Sequence, residues 1–129
     1  MPAGSTCAFC EIVQGRTKSA AIFEDPISLA ILDHRPLLRG HCLLMPKRHI
    51  ETFPDLPAEL IGPLFINAQL LSRAVEAGLQ ADGSFLAVNT RISQSVPHLH
   101  IHIVPRWKKD GLFSKVLIWR RQPYKDQQA

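Results

Sequence analysis

Seven residues, His98-Leu99-His100-Ile101-His102-Ile103-Val104, carry the most chemistry in this sequence, with three of its six histidines on alternate positions. On an extended strand successive side chains point to opposite faces, so three imidazoles line one side while Leu99, Ile101 and Ile103 take the other. The apolar side packs on a core; the imidazole side is left to solvent, a ligand or a metal. Neutral imidazoles ligate metals, attack electrophiles and move protons near pH 7, and the cluster alone does not choose among these. Just upstream, Ser93-Gln94-Ser95 sets hydroxyls, an amide and backbone N–H groups beside the histidine face, a small polar loop suited to a phosphate oxygen. Asn89, at the end of the preceding extended segment, can aim its amide at the same place. Cys7 and Cys10 form a C-x-x-C, which in a cytosolic chain points to metal or redox chemistry. Two such thiols with two histidines make a closed four-ligand zinc site; a free or redox-active thiol pair is the alternative. Cys42, within an apolar run, reads as a buried small hydrophobe, and His34 as a surface histidine.

These groups need a scaffold. Ala8 to Gln14 reads as a short helix ended by Gly15. Ala21–Glu24 and Ser28–Asp33 read as strands around a turn at Asp25-Pro26. His41–Met45, Ser84–Thr90 and His98–Val104 are three more. Between them, Leu60, Leu64, Ala68, Leu71 and Val75 recur at helical spacing from about Ala58 to Ala77. Asp55 suits the N-cap, Leu56-Pro57 the first turn and Gly78 the stop. Pro63 predicts a bend or a late start, because it has no N–H and clashes with the preceding turn. The order predicts an α+β fold: an antiparallel sheet of about five strands, one face covered by a long helix, plus the short N-terminal helix.

Composition bounds the rest. At 129 residues and 14.4 kDa, with 46% hydrophobic and 20% charged residues, the chain fits one globular domain and excludes disorder. No apolar run approaches the ~18 residues of a membrane span, and the first twenty residues lack the apolar segment of a secretory signal. A cytoplasmic protein without a membrane partner is the expectation. The net charge of +4 is uneven: residues 106–129 hold seven Lys/Arg and two Asp, leaving residues 1–105 near neutral. The domain reading is therefore a core of about 7–105 with a basic tail, 106–129.

The alternating histidines resemble the motif of the histidine triad (HIT) family. Gly40-His41-Cys42-Leu43-Leu44-Met45-Pro46-Lys47-Arg48-His49-Ile50 looks like that family's second landmark. The resemblance runs from Cys7 to about Pro105. It implies the HIT-like fold, a homodimer, and a nucleotide hydrolase or nucleotidyl transferase acting at the α-phosphate of nucleoside phosphoramidates or dinucleoside polyphosphates. By that resemblance His100 is the nucleophile that forms a nucleotidyl-histidine, a carbonyl bond to its Nδ1–H leaving Nε2 free to attack. His102 binds the phosphate oxygens or the leaving-group side, and His41 completes the polar site and helps protonate the departing group. Ser95 and Gln94 hold phosphate oxygens. Asp33 accepts from the ribose, and Phe9, Ile22 and Leu32 line the slot around the base. The resemblance also implies structural zinc, Zn(2+), held by Cys7, Cys10, His49 and His98. Two departures stand out: Ser93 occupies a position where many relatives have glycine, and the tail does not match the purine phosphoramidase branch. The competing functions are a non-catalytic nucleotide-sensing module and, ranked lower, a nucleic-acid-binding protein that removes adenylyl groups from nucleic-acid ends.

Overall fold

The computed structural model describes residues 7–113. Its order is α1 (Ala8–Val13), β1 (Ala21–Glu24), β2 (Ser28–Leu32), β3 (Cys42–Pro46), a 3₁₀ turn at Phe53–Asp55, α2 (Ala58–Leu79), β4 (Gly83–Ala87) and β5 (Ile101–Arg106). The strands form one antiparallel sheet in the order β1-β2-β3-β5-β4, so β5, which carries His102, lies between two neighbours. The α+β architecture matches expectation. None of the helices among the described residues is long and apolar enough to cross a membrane.

Alternation along β2 and β3 sends side chains to two cores, which is why both strands are apolar on both faces. Ala30, Cys42 and Leu44, with Leu99, Ile101 and Ile103, pack under Leu64, Ala68 and Leu71 of α2. Leu29, Ile31, Leu43 and Met45 face the other way and are covered by Cys7, Phe9 and Cys10 at α1. The imidazoles occupy the α1 side. A polar tie joins α2 to the β1–β2 turn: Asn67 Nδ2 donates to Asp25 Oδ2 at 2.7 Å and to Ser28 Oγ at 2.8 Å.

Several boundaries differ from expectation for local reasons. β5 begins at Ile101, not His98, because the backbone before it turns elsewhere: Leu99 N–H bonds to Ile50 O and His98 N–H to Val96 O. With no partner opposite residues 88–90, β4 ends at Ala87, not Thr90. Asp33 and His41 fall just outside β2 and β3 and join their ends through Asp33 N–H to His41 O, 2.9 Å. Helix α2 starts on time and runs through Pro63. Asp55 is not its N-cap, since its carboxylate accepts from Thr52 Oγ1 and Pro57 takes the cap position. Nor does Gly78 stop it: the left-handed residue is Gln80, φ +53°, followed by a bond from Ala81 N–H to Glu76 O. Of the basic tail, Arg106 closes β5 and residues 107–113 turn back beside it, so that Arg106 grips Asp110 through two nitrogens; 114–129 lie outside the described residues.

Candidate active site

The three alternating histidines divide between two neighbouring sites. His98 and His100 are 0% and 3% exposed, so the imidazole face is buried against α1 instead of bathed in solvent. His100 donates from Nδ1 to its neighbour's carbonyl, His98 O, at 2.8 Å. That bond leaves the Nε2 lone pair unprotonated and available. Phe9 meets the ring edge-on at 4.9 Å between centroids, and His102 lies 5.0 Å away. His102 pairs across the sheet with Leu43, and His41 shares Leu43's face two residues earlier. That diagonal brings His41 Nε2 to 3.0 Å from His102 Nδ1. Asp33 Oδ2 stands 3.6 Å from His41 Nε2, and Leu37 N–H donates to His41 Nδ1 at 3.0 Å. Burial pushes His41, His100 and His102 below the ordinary histidine range, His102 to about 4, so all three rings are neutral at pH 7.

These groups open on a cavity of about 200 Å³ with a floor of Phe9, Ile12, Ile31, Leu32, Leu43 and Val96 and a polar rim of Asp33, His34, Ser95, His100 and His102. An adjoining cleft of about 330 Å³ shares Ile12, Ile31, Leu32, Asp33 and His34 and extends along Thr17–Ala20. A larger groove of about 440 Å³ holds none of the histidines; Ile22 lies there, beside Leu71, Val75 and Leu79. Of the anticipated apolar residues, then, Phe9 and Leu32 reach the histidine cavity and Ile22 does not. Ile12, three residues after Phe9 on α1, and Ile31, on the face shared with Leu29, supply walls that helix and strand spacing would have indicated. His34 is exposed, as expected, yet it borders the cavity mouth. Gln94 is occupied by backbone groups of its own loop and of the stretch after β3: its Oε1 accepts from Arg91 N–H, and its Nε2 donates to Glu51 O at 2.7 Å and Val96 O at 3.1 Å. Ser93 adopts φ +62°, the left-handed conformation that favours the glycine absent there. Asn89 is half-buried beyond the end of β4 and lines neither of the two clefts at the histidines.

His98 turns its ring to the cysteines. Its Nε2 donates to Pro46 O at 2.7 Å, which directs the Nδ1 lone pair at Cys7 Sγ and Cys10 Sγ, 3.4 and 3.5 Å away. His49 Nδ1 is 3.2 Å from Cys10 Sγ, and the four candidate ligand atoms lie within 4.8 Å of one another. A tetrahedral zinc with bonds of about 2.3 Å to sulfur and 2.0–2.1 Å to nitrogen sets its S···N edges at about 3.5 Å. The donor set therefore fits a zinc-sized ion, and the Pro46 carbonyl supplies the outer hydrogen bond that orients a ligating histidine. Without a cation, burial and the neighbouring Cys7 hold the Cys10 thiol up at about 11, which disfavours a reactive thiolate. Four protein ligands would fill the coordination shell of a tetrahedral ion.

The HIT domain family model matches residues 14–109 of the chain. An adenylylsulfatase of Arabidopsis thaliana is 33% identical over 125 residues, 95% of this chain and 64% of that protein. A bis(5′-adenosyl)-triphosphatase of Dictyostelium discoideum is 37% identical over 95 residues, 72% of this chain and 64% of its own length. A zinc-bound histidine triad family protein of Mycobacterium smegmatis has the same fold, with TM-score 0.79 at 39% identity, covering 94% of this chain and 86% of that one.

Proposed function

The chain belongs to the HIT family, and from that premise we propose that it is a nucleotide hydrolase or nucleotidyl transferase that works through a covalent nucleotidyl-histidine. The observation that carries the reading is the bond from His100 Nδ1–H to His98 O, which frees Nε2 beside a cavity with an apolar floor and a polar rim. In this reading His100 Nε2 attacks the α-phosphorus of a nucleoside phosphoramidate or dinucleoside polyphosphate, and water later releases the nucleotide. His102, oriented by His41, donates to phosphate oxygens as negative charge builds there. Ser95 adds a hydroxyl to the same oxygens. Gln94 contributes by holding the loop that presents Ser95. Asp33 accepts from the ribose, and Phe9, Ile12, Ile31 and Leu32 surround the base. Cys7, Cys10, His49 and His98 hold structural zinc, which supplies no reaction step and fixes α1 against the strand that carries the nucleophile. The names of the Arabidopsis and Dictyostelium relatives support nucleotide chemistry in general, and the Mycobacterium relative supports zinc. The reading further takes the protein to act as a homodimer in the cytoplasm.

The test is the adduct. Incubation with a nucleoside phosphoramidate or dinucleoside polyphosphate should give an acid-labile, base-stable protein–nucleotide species. The His100→Gly variant, still folded by circular dichroism, should form none and lose turnover by a factor on the order of 10³ or more. Tight nucleotide binding with turnover equal to that of the variant would instead identify a sensing module.

A further inference from the structure

Helix α1 is a wall of two sites at once. Cys7 and Cys10 at its start face His49 and His98. Phe9, between them in the chain, turns its ring edge-on to His98 at 5.9 Å and to His100 at 4.9 Å between centroids. Ile12, three residues on, lines the histidine cavity together with Phe9. The helix has six residues, too few to persist alone in water. Among the described residues, every polar contact from residues 7–13 to the chain beyond Thr17 runs through the two thiols. The rest of the hold is apolar, through Phe9, Ile12 and Val13 packed on side chains of β2 and β3. Residues 14–20, which lead on to β1, are all exposed, and Gly15 takes φ +78° just past the helix. A segment tied so lightly belongs to the low-stability end of a fold, docking and leaving as one unit.

We propose that Phe9 is a positioning residue through which zinc at the cysteine–histidine cluster and a nucleotide in the histidine cavity strengthen each other's binding. This rests on the nucleotide reading of the cavity and adds to it a dependence on metal supply. Zinc joins two thiolates of α1 to His49 and His98, so its full ligand set exists only while α1 is docked. A nucleotide in the cavity meets Phe9 and Ile12 only in that same state. Each ligand therefore raises the population that the other needs, and the coupling is equal in both directions. Phe9 carries the coupling because one ring serves both sites. It packs against the imidazole of His98, and it floors the cavity beside His100. Cys7 stands two residues before it and Cys10 one after, so fixing the thiols fixes the ring.

Three measurements on the full-length protein test this, with adenosine 5′-monophosphate as the probe. The amides of Glu11 and Gln14 bond to Cys7 O and Cys10 O at 3.0 Å, so their hydrogen exchange reads whether α1 is formed. Removing zinc should speed that exchange by about tenfold or more while β3 stays protected, and adding the probe to metal-free protein should slow it again. Equal exchange with and without zinc would overturn the proposal. Loss of protection across β3 as well would also overturn it, since the ion would then hold the whole fold. By calorimetry, zinc-loaded protein should bind the probe about tenfold more tightly than metal-free protein. Competition against a chromophoric chelator should show saturating probe raising zinc affinity by the same factor; no change in either would refute the coupling. Phe9→Leu should shrink the factor below about threefold while zinc still binds. So should Ile12→Ala, which is half-buried and leaves the thiols untouched. Weaker probe binding by the same ratio in both metal states would make these residues merely structural. A probe that binds neither state defeats the nucleotide reading and the coupling with it, whereas equal binding to both defeats the coupling alone.

Discussion

His102 shows how a single ring couples function to stability. Burial lowers its folded pKa to about 4, from about 6.5 when exposed, so below pH 6.5 the unfolded chain binds the proton first. The stability that depends on the neutral ring is complete above pH 6.5 and is lost as pH falls toward 4. From pH 7 to pH 5, wild-type protein should lose about 1–2 kcal/mol more than His102→Gln, read from urea unfolding at both pH values. Much at this scale was legible in the sequence. The alternation of His98, His100 and His102 with apolar residues indicated which side chains enter the core, and the carbonyl bond to His100 Nδ1 was anticipated through the family resemblance. The division of labour between His98 and His100 was not legible from alternation alone, because it depends on where Pro46 O and the cysteines fall. Gln94 was equally opaque: its amide is occupied by Glu51, 43 residues away.

Among the elements, the end of α2 departs most instructively from expectation. Periodicity located the helix, but its stop depends on which residue takes the left-handed conformation, and that residue is Gln80. Gly78 lies two residues earlier, within the last turn, and a Cβ there would meet nothing within 4 Å. Gly78→Ala should therefore stabilise the protein by up to about 1 kcal/mol. Gln80→Gly should add about 1 kcal/mol by relieving the positive φ. A rise in the urea midpoint for each variant checks both; a fall for Gly78→Ala would restore it as the stop. Gly40 is the opposite case. Its φ is +91°, and a Cβ would lie 2.2 Å from Leu79 Cδ1, so the loop that delivers His41 needs glycine to pass the end of α2. At Ala87 the strand stops where its pairing with β5 ends, and a partner's path is not written in the strand's own residues; β5 starts late because its own approach bonds to Ile50 and Val96.

For the molecule as a whole, the element order made the α+β class legible, while the order β1-β2-β3-β5-β4 depends on pairing between distant segments. The candidate ligands come from three such segments: the N-terminal turn, the stretch after β3 and the approach to β5. Elemental analysis should find about one zinc per chain, absent from the Cys7→Ser/Cys10→Ser variant. Chelation should lower the melting temperature by roughly 5–10 °C in a calorimetric scan, because an ion that binds only the folded chain stabilises it by mass action. The spacing of these ligands also has a bearing on biosynthesis. A ribosome makes the two thiols before His98, which stands against both of them and emerges 88 residues after Cys10. Throughout that interval the nascent chain carries both sulfurs without the shelter of the finished sheet, so oxidants and foreign metals have their best access to them before translation ends.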